Sequence, residues 1–179
     1  MLLHDIEKPS CFTMDSDGVG HAKNHQQKSS DTAKKMLQNL RYPKKTIEHV
    51  VKLIRLHDIK LQLNEVYIKK FINQHQERFL RDLIEVKRAD AKAKKPNICE
   101  HDLKVLNQFE KLTNDIIEFS PPIDINKLKI DGNDLISLGF YGPEIGKVKN
   151  KLCELVNENK LENERYALIN KVQEYMSIK

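Results

Sequence analysis

The sequence predicts an all-α fold, a helical bundle followed by a smaller helical tail. Two observations carry this. Apolar residues recur at offsets of three, four and seven through most of the chain, and no segment alternates convincingly with the period of a strand. Composition sets the scale: 179 residues with 39% apolar content and no tryptophan can bury one moderate core plus a smaller helical appendage. The mean hydropathy of −0.61 and the lack of any apolar run near ~18 residues exclude a membrane span. Met1-Leu2-Leu3 is too short for a secretory signal.

The elements follow in order. Leu2-Leu3-His4-Asp5-Ile6-Glu7-Lys8-Pro9 sends an imidazole and a carboxylate out of one apolar segment, and residues 15–30, polar and glycine-bearing, read as the mobile loop of the chain. Ala33, Met36, Leu37 and Leu40 mark a helix that Tyr42-Pro43 ends, because a residue before proline avoids the helical region. The next helix starts near Thr46; its stripe of Ile47, Val50, Val51 and Ile54 continues to His57 and Asp58, which places that pair inward. Asn64 caps a helix carrying Ile68, Phe71 and Ile72. In the helix around 76–94, Phe79, Leu83 and Val86 lead to Asp90, and Lys95-Pro96 stops it. Residues 97–100 read as a hinge, and Val105, Phe109, Leu112 and Ile116 stripe a connecting helix that Ser120-Pro121-Pro122 closes. Beyond it, Ile145, Val148, Leu152 and Leu155 define one amphipathic helix. Ala167, Leu168, Val172 and Tyr175 define a second, capped near Asn163. Three segments result: 1–95, a connecting helix over 96–119, and a tail over 120–179.

Charge is uneven. Residues 1–95 hold 20 Lys+Arg against 12 Asp+Glu, while residues 96–179 hold 11 against 14. Lys34-Lys35, Lys44-Lys45, Lys69-Lys70, Lys87-Arg88 and the cluster of Lys92, Lys94 and Lys95 either track a phosphate backbone or sit on solvated helix faces. Cys11, Cys99 and Cys153 are odd in number and far apart, which suits free thiols in a reducing cytoplasm.

An imidazole nitrogen and a carboxylate oxygen suit the same divalent cations, and a neighbouring lysine can meet a phosphate as a point charge. His4-Asp5 with Lys8 is therefore either a metal and phosphate site or a capped helix end. His21, His25, His57-Asp58 and Asp90 are further candidate ligands. A carboxylate on an inward stripe needs a partner, so Asp90 faces a metal, a histidine or a cation such as Lys87.

The succession of His-Asp, later histidines and a distant Asp resembles the HD superfamily of metal-dependent phosphohydrolases. Residues 2–9, Gly18-Val19-Gly20-His21 with His25, residues 51–58 and residues 85–93 are similar, more specifically, to the HD-containing body of bacterial CCA-adding tRNA nucleotidyltransferases. The tail blocks Ile130-Asp131-Gly132-Asn133-Asp134-Leu135 and Gly142-Pro143-Glu144-Ile145-Gly146-Lys147 resemble that family's Gly-x-Asp-Leu and Gly-Pro-x-Ile-Gly blocks in order and spacing. The resemblance runs from Met1 to about Lys171, with Glu7 and Asn24 standing where the family usually has glycine.

The resemblance implies an HD-type bundle whose metal ligands are His4, Asp5, His25, His57, Asp58 and Asp90, with Lys8 as the catalytic phosphate-neutralising group. The metal would be Mg, Mn, Ni, Fe or Zn. The family's first histidine precedes the His-Asp pair, so the expected site is weak or incomplete. It also implies tRNA as partner, met by Lys87, Arg88, Lys92, Lys94 and Lys95 and, at the tail's helix start, by Gly142, Gly146 and Lys147. On residues alone that start reads as a simple turn. The family's amino-terminal catalytic head, with a glycine-rich phosphate loop and an Asp-x-Asp pair, has no counterpart here. The expected function is a cytoplasmic tRNA-binding body and tail that transfers no nucleotide alone. The alternatives are a free-standing HD phosphohydrolase and an inert remnant.

Overall fold

Each proline break expected from the sequence lies at a helix boundary in the computed structural model, which describes residues 2–177. Helix α1 is His25–Asn39, α2 Lys44–Leu56, α3 Glu65–His75, α4 Glu77–Lys92, α5 Pro96–Phe119, α6 Gly132–Ser137, α7 Pro143–Asn157 and α8 Arg165–Ser177. The fold is all-α apart from a small hairpin, β1 Phe12–Met14 and β2 Gly20–Ala22, paired antiparallel with Thr13 opposite His21.

The hairpin and α1 occupy most of the segment expected as a loop. Three-residue strands are too short to show alternation in sequence. What makes the turn is local: Asp15 Oδ1 accepts from the amides of Asp17 (3.0 Å) and Val19 (2.8 Å), with Gly18 at φ +77°. Asn24 then adopts the left-handed conformation, φ +62°, at the entry to α1. After glycine, asparagine takes that conformation most readily, which accounts for asparagine at this position.

Other boundaries differ in instructive ways. Residues 97–100 are not a hinge: Pro96 opens α5, because proline's fixed φ and missing N–H cost nothing in a first helical turn. Asn64 caps α3 as expected, accepting from the Tyr67 amide at 3.0 Å. Asn163 serves differently, accepting from the Lys129 amide and donating to the Lys127 carbonyl, so it ties the 127–129 segment down. Helix α6, too short for a periodic signal, is held by a reciprocal capping box between Asp131 and Asp134.

The chain divides into two compact units. The first comprises the residues up to Leu61 together with Glu77–Glu110, and α2 packs on both α1 and α4. Ala33, Ile54, Leu80, Leu83, Ile84 and Phe109 are fully buried in it. The second comprises Gln62–Gln76 and the residues from Lys111 on, so α3 lies in it although its residues fall within the 1–95 segment. Its core is Leu128, Ile130, Leu135, Phe140, Leu152, Val156, Leu168 and Val172.

Gln76 joins α3 to α4 at φ +70°, ψ +150°, a region that only glycine occupies without strain. Gln76→Gly is expected to stabilise the fold by about 1 kcal/mol, relief of strain exceeding the entropic cost of glycine. A urea midpoint unchanged or lowered relative to the parent would contradict this.

Candidate functional site

The site is assembled in the first unit from four places in the chain. His4 and Asp5 stand in the turns before a short 3-10 helix, Pro9–Cys11. Two contacts dock those turns on α1: the Glu7 amide donates to Ser29 Oγ (3.2 Å), and Thr32 Oγ1 donates to Glu7 Oε1 (2.8 Å). Glu7 is thus an anchor, and its hydrogen bonds to Ser10 and Thr32 hold its carboxyl below the ordinary range. His25 begins α1, His57 follows the last turn of α2, and Asp90 comes from α4.

Both buried imidazoles are locked by backbone carbonyls. His25 Nδ1 lies 2.7 Å from the Ala22 carbonyl and His57 Nδ1 2.6 Å from the Ile54 carbonyl. A carbonyl only accepts, so Nδ1 carries the proton in each ring, and in the neutral form of either ring the Nε2 lone pair points into the site. There the two Nε2 atoms face each other at 3.4 Å, and Asp5 Oδ1 lies 3.1 Å from His25 Nε2 and 3.5 Å from His57 Nε2. Asp5 Oδ1 is itself buried without a hydrogen-bond partner. Facing acceptors at this range repel unless a proton or a metal cation stands among them. This donor set fits a divalent metal, because carbonyls behind both histidines orient their free nitrogens as metal ligands require.

His4 Nε2 is 3.3 Å from Asp5 Oδ2 and 3.8 Å from Asp90 Oδ1. Among the described residues two triads could hold an ion, His4-Asp5-His57 and His25-His57-Asp58, the ligand atoms of each lying within 4.8 Å of one another. Lys8 donates to Asp5 Oδ2 at 2.6 Å. Burial pushes the Asp5 carboxyl up, but the Lys8 hydrogen bond, the charge of Lys8 and the nearby imidazoles outweigh it and set it below its ordinary range.

Three expectations need correction. Asp58 does not share the inward stripe: α2 ends at Leu56, and the Asp58 side chain is half exposed, held by Gln26 Nε2 at 2.7 Å. Asp90 is also partly exposed, less inward than its stripe implied; its cation is Lys94, one turn on at 3.1 Å, with His4 at 3.8 Å, both of them partner types expected for it. His21 pairs with Asp15 at 2.8 Å in the hairpin and belongs to neither triad.

The basic residues separate into two groups. Lys87 donates to the His57 carbonyl at 2.7 Å, Arg88 donates to Glu110 at 2.6 Å, and Lys94 is clamped between Asp90 and Asp102. Lys92, Lys95 and Lys147 are exposed. The five residues from 87 to 95 are therefore not one uniform surface set. By structural unit, the first holds 19 Lys+Arg against 14 Asp+Glu and the second 12 against 12, so all the excess charge lies in the first. At the start of α7, Gly142 caps at φ +55°, ψ −130°, which demands glycine; the space beside Gly142 and Gly146 is open, so neither permits a close packing contact.

The chain is similar to a CC-adding tRNA nucleotidyltransferase of Thermus thermophilus, 27% identical over 164 residues. That alignment covers 89% of this chain and 36% of the relative, so the chain spans about a third of the relative's length. The two are related. No family model matches the chain, and no solved structure matches it. Among the described residues no helix is long and apolar enough to cross a membrane, and Cys11, Cys99 and Cys153 are free thiols.

Proposed function

We propose that these 179 residues act as an RNA-binding body and tail of the tRNA nucleotidyltransferase type, which take up tRNA and transfer no nucleotide by themselves. The similarity to the CC-adding enzyme along nearly the whole chain supports this reading. So does the charge of the first unit, whose cationic excess suits a phosphate backbone. The six glycines, at 18, 20, 132, 139, 142 and 146, form no phosphate-cradling loop within these residues.

Binding of tRNA is expected to weaken with salt, each phosphate neutralised adding a slope of about −0.9. Lys92→Glu with Lys95→Glu should flatten that slope, because both side chains are exposed. Gly142→Ala should weaken binding without changing it, through the strained start of α7. Salt-insensitive binding in a filter assay would defeat the reading, as would incorporation of labelled CTP or ATP by these residues alone. No tRNA binding and no metal binding together would leave an inert structural remnant.

A second reading is favoured by the two inward Nε2 atoms and the unpartnered Asp5 Oδ1: a metal-dependent phosphohydrolase centre. His4, Asp5, His25, His57, Asp58 and Asp90 would hold a divalent cation. When bound it would activate water and polarise a phosphoryl oxygen. Imidazole-rich ligation suits Mn, Fe, Ni or Zn better than Mg. Lys8, already on Asp5, would offset negative charge at the edge of the site. Calorimetric titration with Mn²⁺ or Ni²⁺ tests it; absence of binding refutes it.

A further inference from the structure

Glu7 joins the turns that carry His4 and Asp5 to α1 through its backbone and its side chain at once. Its amide donates to Ser29 Oγ at 3.2 Å, and its Oε1 accepts from Thr32 Oγ1 at 2.8 Å. The other carboxylate oxygen accepts from Ser10 Oγ at 2.5 Å, inside its own turn. Two attachments to one helix fix both the distance and the direction of a segment, where a single one would let it swivel. Ser29 is wholly buried, and a hydroxyl away from water needs the partner that the Glu7 amide provides.

The place of these hydroxyls on α1 gives the contact its consequence. Ser29 and Thr32 stand four and seven residues after His25, so all three share one face of the helix. Glu7 in turn stands two residues after Asp5. A short circuit results, from Asp5 along the chain to Glu7, across to Ser29 and Thr32, and back along α1 to His25. It closes where Asp5 Oδ1 and His25 Nε2 lie 3.1 Å apart. The Asp5 side of that circuit has no helix of its own, since residues 2–8 are turns. Ligands that hold a cation must be kept within about 0.5 Å of their working geometry, and a turn does so only when it is fastened to something rigid.

We propose that Glu7 is a positioning residue for the cation of the cluster: clipped to the Ser29 and Thr32 hydroxyls, it holds Asp5 Oδ1 opposite His25 Nε2. The proposal rests on the metal-dependent reading above and adds to it the device that keeps one carboxylate ligand in place. Two other roles must be separated from it. In one, the Glu7 carboxylate draws the cation merely as a negative charge; in the other, it only supports the fold.

The full chain and its variants are titrated with Mn²⁺ by calorimetry at a temperature where circular dichroism shows each to be folded, and the bound ion is followed by electron paramagnetic resonance. Glu7→Ala is expected to weaken Mn²⁺ binding about tenfold, as loss of a group that orients a metal ligand does, and to alter the resonance of the bound ion. Mere support of the fold would change neither quantity in the folded protein. Glu7→Gln keeps an oxygen for Thr32 and a donor for Ser10 without the charge, so it should retain the parent's affinity and spectrum. Thr32→Val keeps the charge and removes the hydroxyl; it should reproduce Glu7→Ala, and it serves as the test if Glu7→Ala does not fold. The double variant should lose no more than either single one, because the two residues act as a unit. Equal affinities and spectra in the parent, Glu7→Ala and Thr32→Val would overturn the proposal while leaving the cluster a metal site. Glu7→Gln as weak as Glu7→Ala, with Thr32→Val unchanged, would overturn it in favour of the charge. No Mn²⁺ binding by the parent would sink it together with the metal-dependent reading.

Discussion

His57→Ala is expected to lower the affinity for Mn²⁺ or Ni²⁺ by more than about a hundredfold, a larger effect than loss of an outer hydrogen bond around a metal ligand. His57 is the member common to both possible triads, so its removal breaks each at once. The same logic predicts a strong thermal shift in the parent protein. A cation that binds only the folded state at a hundred times its dissociation constant adds about 2.7 kcal/mol. It would also relieve the repulsion between the facing nitrogens of His25 and His57 and Asp5 Oδ1. His57→Ala should lose that shift while keeping its helical circular dichroism. A full, tight equivalent of metal in His57→Ala would show that the cluster is not the site.

Leu152→Ala is expected to destabilise the protein by about 2–5 kcal/mol, the usual range for emptying a core leucine. Leu152 is wholly buried in the second unit among Leu135, Val156, Leu168 and Val172. Ile136, on the neighbouring α6 but 44% exposed, provides the comparison, and its replacement by alanine should move the urea midpoint little. Similar midpoints for the two variants would show that the cluster is not the organising core of this unit.

Helix boundaries were legible wherever a residue acts alone on its own backbone. Pro43, Pro96 and Pro121 interrupt helices because of their ring and missing N–H, and Asn64 caps α3 through an amide three residues on. Elements stabilised by reciprocal or distant partners were not legible. Helix α6 needs Asp131 and Asp134 to bond each other, and Asn163 spends its amide on residues 127 and 129, far away in sequence. The β1–β2 hairpin was missed because one aspartate side chain, bonding Asp17 and Val19, shapes a turn between strands too short for any periodic signal.

For the candidate site, the sequence by itself determined the inventory: two His-Asp pairs, a third histidine at position 25 and a distant aspartate, with helical spacing that directs His57 inward. Residue type decides which cations a side chain can hold, and periodicity decides which face it occupies. Only the tertiary structure decided which of these atoms meet and in what state. The carbonyls of Ala22 and Ile54 orient two imidazoles, Gln26 holds Asp58 near the surface, and Lys94 holds Asp90. It also divided the lysines, tying Lys87 to the His57 carbonyl and the exposed Lys94 to Asp90 and Asp102, with no such pairing for the exposed Lys92 and Lys95 among the described residues. Hydrogen bonds and ion pairs depend on separations of a few ångströms between residues far apart in the chain. Such distances arise only when the helices pack, so no local pattern encodes them.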